Sequence, residues 1–226
     1  MKGLIKSLAF FAIFMLVFFS VAQASSYSDS LVQVSSYFEV GDAGNLPTSA
    51  QAVTGSGIIS DIYGTLSSNN DVDMFKIYIY DPSNFYASTI NDNTTVYDTQ
   101  LFLFDENGYG VLGNDDYSDT WKSYLSSFEG EPGIYFLAIS SWDNDPVSDG
   151  GLIFPSFPYD DGIYGPTGPG GDQPITGWTN DGKESGVYRI VLGGVQTTAV
   201  PVPASIILLG SGLIGFLGLR RARLEL

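Results

Sequence analysis

Acidic residues next to turn-forming residues are the side chains in this sequence with the clearest capacity for chemistry. Asp71 and Asp73 alternate at the start of an apolar run, and Asp42 and Asn45 occur in the preceding block of turn residues. Residues two apart in an extended backbone point to the same side, so the two aspartates present their oxygens together. Because Ca²⁺ takes about six to eight oxygen ligands, we expect Asp42 and Asn45 to complete one calcium site with them.

A second group of oxygen ligands follows further along the chain. Asp105 and Asn107 precede Gly108 in an order that resembles the beginning of a calcium loop, although the closing Glu of an EF-hand is absent. Asp115 and Asp116 are adjacent, and their charges repel unless a cation or hydrogen-bond donors intervene. Asp and Asn are also the residues that β-turns require. Calcium binding and simple turn formation therefore both remain open for the two groups.

Missing residue types exclude several kinds of catalysis. The chain contains no histidine and no cysteine, which rules out Ser-His-Asp and Cys-His mechanisms and removes the usual zinc ligands. Paired carboxylates leave a secreted polysaccharide-acting hydrolase as the alternative function. The acids occur in turn-like contexts, so we assign no catalytic residue and expect a protein that is not an enzyme.

The segments that position these acids are short and alternate apolar and polar residues with a period of two, as β-strands do. They are bounded by Gly, Asn, Asp or Ser, and no amphipathic helix is evident between them. The predicted strands cover residues 31–40, 58–66, 74–80, 85–90, 100–104, 134–139 and 187–192. Many short aromatic-rich strands with frequent turns predict an all-β fold, an antiparallel jelly-roll β-sandwich.

One segment interrupts this rhythm. Residues 155–174 are rich in proline and glycine and cannot form a central strand, because proline lacks the N–H donor. We therefore interpret 143–181 as a long insertion between the last two strands. Loops of this length are usually functional or disordered, and its aromatic residues favour a partly ordered loop that faces a ligand.

The beginning of the chain predicts export. Lys2 and Lys6 precede an uncharged apolar run, which ends in the small residues Ala22 and Ala24 on either side of Gln23. This order is what signal peptidase recognises, so residues 1–24 are predicted to be a signal peptide cleaved after Ala24.

The end of the chain predicts a membrane anchor. An uncharged apolar run at 204–219 is followed at once by arginines at 220, 221 and 223, which favours a transmembrane helix with a cytoplasmic C-terminus. Together with Pro201 and Pro203, this layout resembles the PEP-CTERM sorting signal, a tail also labelled the ice-binding protein C-terminal domain. Val202 stands where that family usually has Glu. The resemblance implies processing of 201–226 by an exosortase-type protease.

The span between the two ends is strongly acidic. Residues 25–200 carry 24 acidic residues against four basic ones. Nucleic acid is therefore excluded as a partner, because a phosphate backbone requires a positive surface. Solubility outside the cell and divalent cation binding both explain such a charge.

Four blocks in this span resemble a bacterial pre-peptidase C-terminal domain. They are GDAGNLPTSAQA (41–52), NNDVDMFKIYI (69–79), YDTQLFLFDENGYGVLGNDD (97–116) and GIYFLAIS (133–140). The resemblance implies a small jelly-roll accessory module of secreted proteins, which calcium stabilises in some members.

The sequence as a whole predicts an exported, non-catalytic protein of the cell surface or extracellular matrix, first anchored in the membrane. Its expected organisation is a signal peptide (1–24), a β-sandwich domain (25–194), a linker (195–200) and the sorting tail (201–226). Its expected partners are signal peptidase, the sorting protease, the membrane, calcium and extracellular glycans.

Overall fold

The computed structural model of this chain describes residues 33–91, 93–156 and 162–198. The predicted signal peptide with Ala22 and Ala24, and the predicted tail with Pro201 and Pro203, lie outside the described residues. Across the described ranges, no helix has the length and apolar character needed to cross a membrane.

The fold is all-β, as predicted, and the described residues contain no α-helix. A 3-10 turn occurs at Pro82–Asn84. The strands are β1 (Val34–Phe38), β2 (Gln51–Ala52), β3 (Ile58–Leu66), β4 (Val72–Ile79), β5 (Tyr86–Ser88), β6 (Thr99–Asp105), β7 (Gly110–Asn114), β8 (Tyr124–Leu125), β9 (Gly133–Ser141), β10 (Pro146–Ser148), β11 (Gly151–Leu152), β12 (Gly177–Trp178), β13 (Gly186–Gly193) and β14 (Val195–Gln196).

Most strands belong to one large sheet. Its order is β7-β6-β9-β4-β14-β3-β13-β5-β8, and every pair along this path is antiparallel. β1 and β2 are added in parallel to β3 and β4. The sheet nearly closes on itself as a barrel. β10, β11 and β12 form a separate small sheet.

The period-two pattern located the main strands. The predicted runs at 58–66, 74–80, 100–104, 134–139 and 187–192 are confirmed as β3, β4, β6, β9 and β13. Inward-facing residues of β4, namely Phe75, Ile77 and Ile79, are fully buried in the larger hydrophobic cluster. The same strand places Val72 and Met74 on its opposite face, in a second cluster.

That second cluster arises because β4, β6 and β9 are covered on both faces. Along β6, Leu101 and Leu103 lie in the larger cluster, whereas Phe102 and Phe104 lie in the second. Alternation of side chains across a strand sends neighbouring apolar residues to opposite faces, so both faces require cover. The cover is supplied by the small sheet and the loops around it.

The predicted insertion supplies this cover. Residues 143–181 contain the three strands of the small sheet, and Phe154 and Trp178 from this segment are buried. The ring of Phe154 lies 5.3 Å from that of Phe102, and Trp178 meets Phe102 edge to face at 5.6 Å. Two of the aromatic residues that suggested a ligand-facing loop therefore belong to the core.

The predicted linker also begins within the sheet. Val195 and Gln196 form β14, which lies between β4 and β3, and Val195 is fully buried. The amide of Thr198 donates to the carbonyl of Val53 at 2.8 Å. The β-domain therefore extends past the predicted boundary at 194, because an apolar residue there completes the interior.

Replacing Phe154 with alanine tests whether the small sheet belongs to the core. Phe154→Ala should lower the free energy of unfolding by about 3–5 kcal/mol, the usual cost of removing a buried aromatic side chain. Phe38 is a matched control, because it is exposed and only stacks on Tyr63. Phe38→Ala should cost about 1 kcal/mol or less in the same urea unfolding experiment. Equal losses in both variants would show that the segment is not part of the core.

Candidate metal centre

Three of the predicted ligands lie together at one end of the large sheet. Asp73 is the first inward-facing residue of β4, Asp71 immediately precedes this strand, and Asp42 lies in the connection between β1 and β2. One carboxylate oxygen from each of the three lies within 4.8 Å of the others. We call Asp42, Asp71 and Asp73 the first acidic cluster.

Backbone amides orient the two outer members of the first acidic cluster. Asp42 Oδ1 accepts a hydrogen bond from the amide of Gly44 at 2.9 Å. Asp71 Oδ1 accepts one from the amide of Val72 at 2.9 Å, and its Oδ2 accepts one from the amide of Ser67. These hydrogen bonds hold both side chains in place.

Asp73 is different, because it is 0% exposed. Its Oδ2 accepts a 2.7 Å hydrogen bond from the hydroxyl of buried Tyr188, and its Oδ1 has no hydrogen-bond partner. Tyr188 on β13 pairs with Gly64 on β3, where a Cβ atom would overlap the tyrosine hydroxyl. Glycine at 64 thus leaves the space that the Tyr188 ring needs to reach Asp73.

Burial is the main reason why the pKa of Asp73 is raised well above its ordinary value. The hydrogen bond from Tyr188 acts in the opposite direction, and the charges of Glu39 and Asp71, with a side-chain interaction with Glu39, raise the pKa further. Glu39 was missed by the sequence analysis. Its Oε1 accepts from the amide of Ala43 at 3.1 Å, and its Oε2 accepts from the amide of Thr65 at 2.9 Å. A fourth carboxylate therefore faces the same region.

Asn45 lies in the same connection as Asp42, and its main chain takes part in packing. The carbonyl oxygen of Asn45 accepts a 2.7 Å hydrogen bond from the indole nitrogen of Trp178. This bond joins the loop of the first acidic cluster to the small sheet.

The second predicted group is divided between the two ends of one hairpin. Leu103 pairs with Leu112 and Leu101 with Asn114, so Asp105 lies at the closed end and Asp115 at the open end. Along the hairpin, Asp105 is about five residues away from the position opposite Asp115, which is roughly 17 Å at about 3.4 Å per residue. Asp105 Oδ1 accepts from the amides of Asn107 and Tyr109 at 2.8 and 3.0 Å. Asp105 and Asn107 therefore form a turn.

The open end of the hairpin brings a different residue to Asp115 and Asp116. Asp98 immediately precedes β6, and one carboxylate oxygen from each of the three residues lies within 4.8 Å of the others. We call Asp98, Asp115 and Asp116 the second acidic cluster. Buried Asn114 fixes the adjacent turn, because its side chain donates to the carbonyl of Asp116 at 2.8 Å and accepts from the amide of Tyr124 at 2.7 Å.

Burial also raises the carboxyl pKa values in the second acidic cluster. The pKa of Asp98 is raised to about 7, mainly by burial and then by the charges of Asp116 and Glu184. The pKa of Asp115 is raised to about 8, again by burial first and then by the charges of Asp98 and Asp116. The charge of Lys122 acts in the opposite direction on the pKa of Asp98. Among the described residues, Asp73, Asp98 and Asp115 form no ion pair.

Neither a protein-family model nor a curated protein sequence matches the chain. The chemistry of the two clusters follows from their donor atoms. Carboxylate oxygens are the preferred ligands of hard divalent cations, which would supply the missing positive charge. Protonation is the other way to remove the repulsion, and the raised pKa values describe that ion-free state.

The ion-free protein should lose stability as the pH rises. A native carboxyl with a raised pKa keeps its proton at pH values where the unfolded chain has released it, so the native state binds more protons and stability falls from about pH 4 upward. In EDTA, we expect a lower melting temperature at pH 8 than at pH 5, with a free-energy loss on the order of 1 kcal/mol or more from Asp73.

Variants separate this effect from general charge repulsion. Asp73→Asn preserves the shape of the side chain and the acceptor for Tyr188 but cannot ionise, so it should reduce the pH dependence and leave the part that comes from Asp98 and Asp115. Asp149 is exposed and belongs to neither cluster, and Asp149→Asn should melt like the unmodified protein. An unchanged pH dependence in Asp73→Asn would show that Asp73 does not titrate abnormally.

Proposed function

We propose that this chain is an exported, non-catalytic protein of the cell surface or extracellular matrix whose acidic β-domain binds calcium at the first acidic cluster. The domain would have the jelly-roll arrangement that the sequence pattern predicts. Calcium would join the β1–β2 connection to the start of β4 and stabilise the native state.

One observation carries the cation-binding part of this proposal. Asp73 is completely buried, and its Oδ1 has no hydrogen-bond partner although two other carboxylates converge on it. An ionised carboxylate without a counter-charge is costly to bury, on the order of several kcal/mol. A cation between Asp42, Asp71 and Asp73 removes this cost. It also replaces the mutual repulsion of the three groups with attraction.

The donor set favours calcium among the common divalent ions. Zinc sites usually contain cysteine or histidine, and the chain has neither. Magnesium requires a nearly ideal octahedron, whereas calcium accepts carboxylates from loops in a more flexible geometry. The first acidic cluster draws two of its carboxylates from loops, and Asp42 is exposed, which leaves room for water ligands.

A non-catalytic role agrees with how the described carboxylates are used. Asp42, Asp71, Glu39 and Asp105 all accept hydrogen bonds from backbone amides, as structural carboxylates in turns do. A polysaccharide hydrolase instead requires one acid and one base or nucleophile across an accessible cleft. The buried Asp73 does not meet that requirement.

Export and envelope sorting are supported by the two ends of the sequence. The signal peptide at 1–24 and the tail at 201–226 provide the expected contacts with signal peptidase, the membrane and an exosortase-type protease. The surplus of acidic residues between them favours a domain that remains soluble among extracellular glycans.

Calcium should stabilise the purified chain through Asp71 and Asp73. Binding to the native state alone adds about 2.7 kcal/mol when calcium is roughly one hundred times its Kd. For a domain of about 150–250 residues this corresponds to a rise of roughly 5–11 °C in melting temperature. Melting curves in calcium and in chelator measure the rise, and chelator should reverse it.

The double variant Asp71→Asn with Asp73→Asn should reduce this rise. Its melting temperature in chelator should be unchanged or higher, because the repulsion between the carboxylates is relieved. Asp149→Asn carries one of the same charge changes at an exposed site and should keep the full response. Identical curves in chelator and in millimolar calcium for the unmodified protein would leave these aspartates as ordinary turn and core residues.

Deletion of residues 201–226 tests the sorting proposal separately. The truncated protein should appear in the culture medium, because the predicted sorting box and anchor both lie in the deleted segment. Cell fractionation with an antibody to the β-domain compares it with the full chain. Continued membrane association of the truncated protein would assign retention to another part of the chain.

A further inference from the structure

The second acidic cluster combines residues that the sequence analysis did not group. Asp98 and Asp115 are each 8% exposed, and neither was expected to lie beside the other. Oδ1 of Asp98 and Oδ1 of Asp115 are both buried without a hydrogen-bond partner, and the two side chains converge with Asp116. The cluster therefore combines three converging carboxylates with two buried acceptor atoms that have no hydrogen-bond partner.

Neighbouring acidic residues differ from these two, because each has its own partner. Glu184 Oε2 accepts from the amides of Tyr97 and Asp98, and Asp145 Oδ1 accepts from the side chain of Gln100 at 2.9 Å. Asp143 pairs with Lys183 at 3.0 Å. The charges of these three residues act on the cluster and increase its negative potential.

Lys122 acts on the cluster without forming an ion pair with it. Lys122 affects Asp98 electrostatically, but its ammonium group donates to the carbonyl oxygens of Thr94 and Val96. The two ion pairs found among the described residues are Lys183 with Asp143 and Arg189 with Asp61, so neither includes Asp98 or Asp115. The cluster thus lacks a basic partner at contact distance for its two buried members.

We propose that Asp98, Asp115 and Asp116 form a second calcium site, independent of the first acidic cluster, at the open end of the β6–β7 hairpin. The bound ion would link the start of β6 to the end of β7. It would also supply a positively charged partner to the carboxylates of Asp98 and Asp115. Asp116 is only partly buried, so water can complete the coordination shell from that side.

Two features of the fold support a preformed site at this position. The hairpin register fixes the distance between the start of β6 and the end of β7, so the aspartates meet without a change in the sheet. Asn114 holds the turn through hydrogen bonds to Asp116 and Tyr124, and it is itself fully buried. Ligands that are already positioned lose little conformational entropy when the ion binds.

Calorimetric titration of the purified full chain with calcium chloride, after removal of bound ions with chelator, tests this inference. We expect about two calcium ions per chain. The double variant Asp98→Asn with Asp115→Asn should lose one of them, and Asp116→Asn should weaken the same site by roughly tenfold or more, because affinity follows ligand charge. Circular dichroism verifies that each variant is folded.

Matched variants separate this site from the one in the proposed function. Asp71→Asn with Asp73→Asn should lose the other calcium and retain the site at Asp98, Asp115 and Asp116. Asp105→Asn and Asp149→Asn should both retain two ions, since neither residue belongs to a cluster. If only the Asp71 and Asp73 variant changes binding, the second site is refuted and the first stands. If only the Asp98 and Asp115 variant does, the first site is refuted instead.

The partly exposed Asp116 keeps the inference testable if the double variant does not fold. Asp116→Asn changes a less buried side chain, and a loss of affinity confined to one of two sites would support the proposal. Calcium binding by Asp116→Asn that equals that of the unmodified chain in both stoichiometry and affinity would overturn it.

Discussion

Burial of β4, β6 and β9 on both faces is the constraint on which the rest of the structure depends. A chain without cysteine has no disulfide to hold its strands together, so apolar packing has to supply most of its stability. One face of these strands lies inside the nearly closed sheet, and the other lies under the small sheet. The insertion at 143–181 is therefore a structural layer whose Phe154 and Trp178 fill space that would otherwise be open to water. The positions of the strand ends follow from this packing, and the strand ends carry the acidic clusters.

Both clusters lie where a strand leaves the core, and this position explains their unusual electrostatics. Asp73 lies on the same inward face of β4 as Phe75, Ile77 and Ile79. The backbone therefore directs its carboxylate into the protein, although Asp73 lies near the beginning of the strand. Asp98 and Asp115 adjoin fully buried residues, Thr99 and Asn114, and are almost as inaccessible. Desolvation in such positions outweighs the available hydrogen bonds and raises the pKa of all three. The same geometry that makes these carboxylates costly also brings several of them within reach of one ion.

Local sequence pattern predicted the strands and part of the first cluster, because both depend on period-two alternation. Asp71 and Asp73 were expected on the same side, and the structure brings them together with Asp42. Contacts between distant segments could not be predicted in this way, because they leave no local pattern in the sequence. Glu39, which directly follows β1, and Tyr188 on β13 approach Asp73 from distant parts of the chain, and Asp98 meets Asp115 only through the register of the hairpin. One signal was present: the uninterrupted apolar residues 101–104 indicate a strand buried on both faces, and pairing β6 with β7 around the turn at Asp105 places 98 opposite the residues after 114. The strands of the small sheet are too short, at two or three residues each, to give a periodic signal.

Under the two proposals, calcium would take over part of the role that disulfides have in many exported proteins. Each site joins segments that are separate along the chain, residue 42 to 71–73 in one case and 98 to 115–116 in the other. A disulfide holds such segments regardless of the surroundings, whereas an ion stabilises only in proportion to the logarithm of its concentration relative to Kd. Stability would then depend on the calcium concentration outside the cell. At low calcium the carboxylates would have to take up protons or repel one another. The strong negative charge of the domain would make that repulsion greater, so the same acidic residues would stabilise the fold in calcium and weaken it without the ion.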